Sequence, residues 1–154
     1  MARLVFVLNG PNLNLLGVRE PHIYGTETLD EIKVRCGRRA TQHALEIDFR
    51  QTNFEGVLVE AVHEARDKAA AIIINPAAFS FQSIALLDAL ETFSGPKIEI
   101  HLANRQKRNS IYHSSLISRT ATGMIEGLGG DVYVLAIEAV ALNFARQADY
   151  KSKA

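Results

Sequence analysis

The chain has 154 residues, 47% of them hydrophobic and 22% charged, and its 17 Lys+Arg balance 17 Asp+Glu for a formal net charge of zero. That composition describes one globular domain spanning residues 1–154, with enough apolar side chains for a sizeable core. Without net positive charge or a long basic run, the chain lacks the electrostatic footprint of a nucleic-acid binder and of a polybasic membrane partner.

The opening MARLVFVLNGPN carries a short apolar run, Leu4 to Leu8, that stops at Asn9 with no small-residue cleavage pattern behind it. It reads as a strand buried on both faces, not as a leader. A long loop follows, NGPNLNLLGVREPHIYG, whose two prolines, three asparagines and three glycines argue against regular structure and whose leucines argue for order. Thr28-Leu29-Asp30-Glu31 is a capping box, opening a helix that runs to about His43 with Leu29, Ile32, Cys36 and Ala40 on one face. Leu45 to Gln51 alternates as a second strand. Phe54, Val57, Leu58, Ala61, Val62 and Ala65 form the clearest helical stripe. Ala70 to Ile74 is a third, fully apolar strand closed by Asn75-Pro76. Ser83 to Thr92 reads as a helix, Lys97 to Leu102 as a fourth strand, and Asp131 to Ala148 as a closing helix. Strands alternating with helices of this length require right-handed crossovers, so the expected fold is α/β, a flavodoxin-like three-layer sandwich with a parallel sheet. Ligands bind such sheets beyond the strand carboxyl ends, where NGPNLN, NP and HLAN cluster.

Cys36, the only cysteine, can form no intrachain disulfide and joins no thiolate cluster; its place in the helical stripe makes it a small buried hydrophobe, and the chain suits a reducing, cytoplasmic setting. No apolar stretch approaches the roughly 18 residues of a membrane span. There is no GxGxxG in the first strand-to-helix turn, no Walker phosphate loop, no G-x-S-x-G elbow and no histidine pair at helical ligand spacing. GLGG at 127–130 is a turn before the last helix. These absences leave a dinucleotide, a phosphate cradle and a metal site each without support. His101 shares a strand face with Glu99, and a carboxylate beside an imidazole favours the protonated ring and fixes its tautomer, as a general acid requires; a structurally paired core histidine is an equally good reading. Tyr24 lies in a glycine-flanked loop five residues after Arg19, and a guanidinium near a phenol favours the phenolate a base needs; an ordinary packed tyrosine is the alternative. RQKR at 105–108 either holds a substrate anion or solvates a surface, and composition favours the surface.

The order of these pieces is more specific than any one of them. NGPNLNLLGVREPHIYG and TL, then NP and S-I-A-L-x-D-A-L, then EIHLAN with Arg108, then G-x-I-x-G-L-G, resemble the type II 3-dehydroquinate dehydratases from end to end. The resemblance implies a hydro-lyase that removes water from 3-dehydroquinate, a small carboxylated ketone, to give 3-dehydroshikimate, without metal or cofactor. It further implies a homo-oligomer, a dodecamer built from trimers. By the same resemblance Tyr24 takes the proton beside the ketone, Arg19 keeps it anionic, and Asn12 holds a water at the enolate. His101, oriented by Glu99, protonates the departing hydroxyl. Asn75 and the Leu102 and Ala103 backbone hold substrate, Asp88 reaches into a neighbouring subunit's site, and Arg108 belongs to a lid.

The chain departs from that family's pattern on one side of the pocket. Where the family has roughly N-P-G-A-Y-T-H, this chain has Asn75-Pro76-Ala77-Ala78-Phe79-Ser80-Phe81, so a histidine is replaced by Phe81. A serine is replaced by Ala103, a lid arginine by Tyr112, an arginine beside the aspartate by Leu87 and a glutamate by Asn109. Phe81, Leu87 and Tyr112 are expected to line the side used for hydroxyl recognition, where an unpartnered buried hydroxyl costs on the order of 1 to 3 kcal/mol. Three readings follow: a dehydratase of the family's own substrate, a paralogue acting on a less hydroxylated carboxylated ketone, or a non-catalytic binding paralogue. Retention of Tyr24, Arg19 and His101 together weighs against the third.

Overall fold

The computed structural model describes residues 1–153. Five strands, β1 (Arg3–Asn9), β2 (Leu45–Gln51), β3 (Ala71–Asn75), β4 (Lys97–His101) and β5 (Gly123–Glu126), form one sheet in the order β2-β1-β3-β4-β5, every pairing parallel. Each crossover carries chain over a face of the sheet. The result is the three-layer α/β sandwich of flavodoxin-like type.

Strand alternation sorts the core into two layers. Val5 and Val7 point with Ile73, Ile98 and Ile100 to one face, under α2 (Leu29–Gln42) and α5 (Asp131–Lys153); Phe6 and Leu8 point with Ile72 and Ile74 to the other, under α3 (Glu55–Lys68) and α4 (Ile84–Glu91). Cys36 is fully buried in the first layer, and that burial pushes its thiol up to about 12, as an inert hydrophobe requires. The Thr28 capping box is present, with Glu31 N–H donating to Thr28 Oγ1 and Thr28 N–H to Glu31 Oε2. Arg35 spans Glu27 and Asp131, and Arg39 meets Glu138, so paired charges fasten α2 to α5.

Three expectations need correction. The amino-terminal loop holds regular turns: a 3-10 turn at Leu13–Leu15 and a one-turn helix, α1 (Pro21–Tyr24). Pro21 stands at the first helical position, where its fixed φ suits the helix and its missing N–H is no loss. On α3 only Leu58, Ala61, Val62 and Ala65 are buried; Phe54 precedes the helix and Val57 lies off the stripe, so both face outward. The fifth strand, β5, was not foreseen at all. It has four residues, begins with glycine and lies at a half-exposed edge, so it lacks the apolar run that marks a buried strand.

Candidate active site

The strand carboxyl ends meet at one cavity, and the turns after β1 and β3 press together above it. Gly10 donates its N–H to Asn75 C=O at 2.8 Å, and a Cβ at Gly10 would sit 2.4 Å from the Pro76 carbonyl oxygen. Only glycine permits that approach. The chain then turns through Asn12 in the left-handed region (φ 68°), its N–H bonded to Asn53 Oδ1, which places Asn12 at the rim.

Tyr24, the last residue of α1, lines the cavity and is flanked by two guanidinium groups. Arg19 lies 5.2 Å and Arg108 5.4 Å from its ring centroid. Arg19 also approaches Glu20 at 3.4 Å, but both side chains are exposed and the pair contributes little.

His101 ends β4 at the cavity floor, only 6% exposed, with Nε2 2.7 Å from Glu99 Oε1. Glu99 is fully buried, and Ser118 Oγ donates to its second oxygen at 2.5 Å. Burial pushes this carboxyl up, but hydrogen bonds from His101, Ser115 and Ser118 and the attraction of the imidazole outweigh it, holding Glu99 below the ordinary carboxylate range. Its charge stands behind the imidazole and fixes one ring nitrogen. The other nitrogen is the one left for a ligand.

Asn75, at the end of β3, is 2% exposed, with its Oδ1 accepting from Ala77 N–H. Leu102 and Ala103 follow β4 along the same wall. Opposite stands an aromatic surface: Phe81 and Tyr112 meet edge to face, 5.5 Å apart at 78°, and Arg108 lies 3.9 Å over the Tyr112 ring. Ala77, also on the lining, is held at φ 50°, a conformation that glycine adopts freely and alanine does not.

The cavity therefore gathers Asn12, Arg19, Tyr24, Asn75, Phe81, His101, Leu102, Ala103, Arg108 and Tyr112, with Glu99 directly behind. Asp88, expected in a neighbouring subunit's site, is exposed on α4 and outside this chain's own cavity, while Leu87 packs against the core layer beneath α4 and is absent from the lining. Leu87 points inward because it continues the face of Leu86 and Leu90, which corrects its expected place on the pocket wall.

Arg105 overturns the surface reading of RQKR. It is 4% exposed, donates from Nε to Glu126 at 2.6 Å, contacts Met124 and lines the cavity, while its Nη1 is buried with no partner among the described residues. Its partner Glu126 lies on the unforeseen β5. Ser118 and Tyr133 were also missed, since nothing local marks a hydroxyl that acts across the fold. No group of three or more His, Cys, Asp and Glu among the described residues is arranged to hold a metal ion. Nor is any helix among the described residues long and apolar enough to cross a membrane.

The family model for dehydroquinase class II matches residues 3–141. A 3-dehydroquinate dehydratase of Caulobacter vibrioides is 52% identical over 139 residues, covering 90% of this chain and 95% of that protein. One from Bartonella henselae is 48% identical over 146 residues, covering 95% and 99%. The crystal structure of type II dehydroquinase from Propionibacterium acnes superposes with a TM-score of 0.89 at 41% identity, covering 92% of this chain and 98% of that one.

Proposed function

The chain belongs to the class II dehydroquinase family, and on that premise we propose that it is a hydro-lyase converting 3-dehydroquinate to 3-dehydroshikimate and water through an enolate. The observation that carries this reading is one cavity lined by a cation-flanked Tyr24 and a carboxylate-backed His101. Elimination beside a ketone needs a base, a stabilised oxyanion and an acid for the leaving group, and these residue types supply all three.

In the first step the Tyr24 phenolate oxygen takes the proton on the carbon next to the ketone, the C–H electron pair forms the enolate C=C bond, and the carbonyl π pair moves onto the ketone oxygen. Arg19 and Arg108 stabilise the phenolate before the transfer. Asn12 holds a water against the enolate oxygen. In the second step the enolate electrons return to form the conjugated enone, the C–O bond breaks, and His101 gives its proton to the departing hydroxyl, which leaves as water. Glu99 holds the His101 ring at Nε2, which leaves the other ring nitrogen for the departing hydroxyl. Asn75 and the Leu102 and Ala103 backbone hold the substrate carboxylate end. Phe81 and Tyr112 form the far wall.

The protein is a homo-oligomer assembled from trimers into a dodecamer, in which Asp88 enters a neighbouring subunit's cavity; its exposure on α4 and its absence from its own chain's cavity support this. The lone buried cysteine suits a cytoplasmic location. Mixing purified protein with 3-dehydroquinate should produce the absorbance of a conjugated enone, and Tyr24→Phe should abolish it with the oligomer intact. No enone from wild type, or unchanged turnover in Tyr24→Phe, would overturn the reaction or the base.

A further inference from the structure

Between the core and the cavity runs a chain of buried hydrogen bonds whose direction can be worked out from its two ends. At one end Asn9 Nδ2 donates to the backbone carbonyl of Arg50 at 2.9 Å. A carbonyl only accepts, so the Asn9 amide must present its nitrogen there and its oxygen on the other side. That oxygen accepts from Tyr133 Oη at 2.6 Å, and the Tyr133 oxygen in turn accepts from Asn75 Nδ2 at 3.1 Å. At the other end Asn75 Oδ1 accepts from the backbone N–H of Ala77 at 3.3 Å, and an N–H only donates. Two backbone groups of opposite polarity thus set every link.

The middle link comes from far away in the sequence. Asn9 and Asn75 end the adjacent strands β1 and β3 in direct register, and Tyr133 reaches them from the first turn of α5. Tyr133, Asn9 and Asn75 are 0%, 0% and 2% exposed, so water does not compete for these bonds. Burial pushes the Tyr133 phenol above its ordinary range, outweighing the opposing bond from Asn75, so the hydroxyl keeps its proton and its direction at working pH.

We propose that Tyr133 is a positioning residue for substrate binding: its hydroxyl locks the amide of Asn75 so that its nitrogen side, with one N–H still uncommitted, is presented in a fixed orientation to the ligand oxygen in the cavity. This rests on the reading of Asn75 as a substrate-holding residue. Without the hydroxyl, Asn75 keeps only the Ala77 contact and its amide can swing.

The test is a double-mutant cycle on KM and kcat for 3-dehydroquinate, with thermal unfolding alongside. Tyr133→Phe should raise KM roughly three- to tenfold, the scale of one net hydrogen bond, and leave kcat within about twofold, the signature of lost ground-state holding. In an Asn75→Ala background the same change should have no further effect on KM, because the group it acts through is gone. A crystal structure of Tyr133→Phe should show the Asn75 amide in more than one orientation, no longer held on its nitrogen side. A lowered unfolding temperature with unchanged KM, or an equal rise in KM with and without Asn75, would overturn the proposal in favour of a purely structural tyrosine. If Tyr133→Phe does not fold, Asn9→Ala cuts the chain one link further back and should raise KM in the same direction, again only when Asn75 is present; an unchanged KM there counts against the proposal. An unchanged KM in Asn75→Ala alone would instead strike the functional reading of Asn75, and that result does not involve Tyr133.

Discussion

The two walls of the cavity are built on different principles. On one side Glu99 and His101 form a buried polar pair in which both carboxylate oxygens are occupied, one by the imidazole and one by Ser118. On the other, Phe81 and Tyr112 offer a ring edge and a ring face, with Arg108 stacked on top. Acid-base chemistry tolerates no loss of polar partners, since each buried charge must be matched. Recognition can exchange hydrogen bonds for apolar contact at a cost in affinity alone.

The largest effects should fall on the polar wall. His101→Ala should lower kcat by about 10²- to 10⁴-fold, the usual worth of a positioned general acid. Retention of wild-type turnover would mean that the departing hydroxyl is protonated by another group. On the aromatic wall, Phe81→His combined with Tyr112→Arg should lower KM for 3-dehydroquinate about ten- to thirtyfold at nearly constant kcat, as two hydrogen bonds of about 1 kcal/mol each would do. A rise in kcat of several orders of magnitude would break the comparison differently: the wild-type wall would then be shaped for another ring.

Acid should separate the walls as well. Because Glu99 is held below its unfolded value of 4.5, its contribution to stability is present above that value and is lost as pH falls through the lower folded one. Urea unfolding of wild type and Glu99→Gln should therefore converge below pH 4.5, whereas Phe81→Leu, with no charge involved, should stay parallel to wild type. The smallest effect belongs to the backbone under the aromatic wall. Ala77→Gly relieves a left-handed alanine and should stabilise the fold by about 0.5 to 1 kcal/mol, readable as a shift in the urea midpoint.

The legibility of the sequence followed the range of the interactions. Local signals held well: β2 spans the expected Leu45 to Gln51, and Thr28 and Glu31 close the expected capping box. The glycines at 127–130 form a turn before α5. Signals failed where a partner lies elsewhere in the chain. Arg105 looks like a surface cation until Glu126 arrives from β5, and Leu87 looks like a pocket residue until α4 rolls it onto the core. The site residues came chiefly from a long, ordered set of motifs, because a lone histidine or tyrosine carries little information by itself. Tyr133 could not be found this way. Its periodicity marks it as core, and its hydroxyl gains meaning only once β1 and β3 place Asn9 beside Asn75.

The strand order has a consequence in time. The first strand made lies inside the sheet, between β2 and β3, and β3 arrives only after β2 and α3 have been laid down. Asn12 and Tyr24 are thus synthesised long before the Asn75 and His101 that complete their surroundings. Such non-local pairing is the slow part of folding. A growing or refolding chain should regain helical signal first and turnover last, so that recovered activity reports the docking of β4, not the initial collapse.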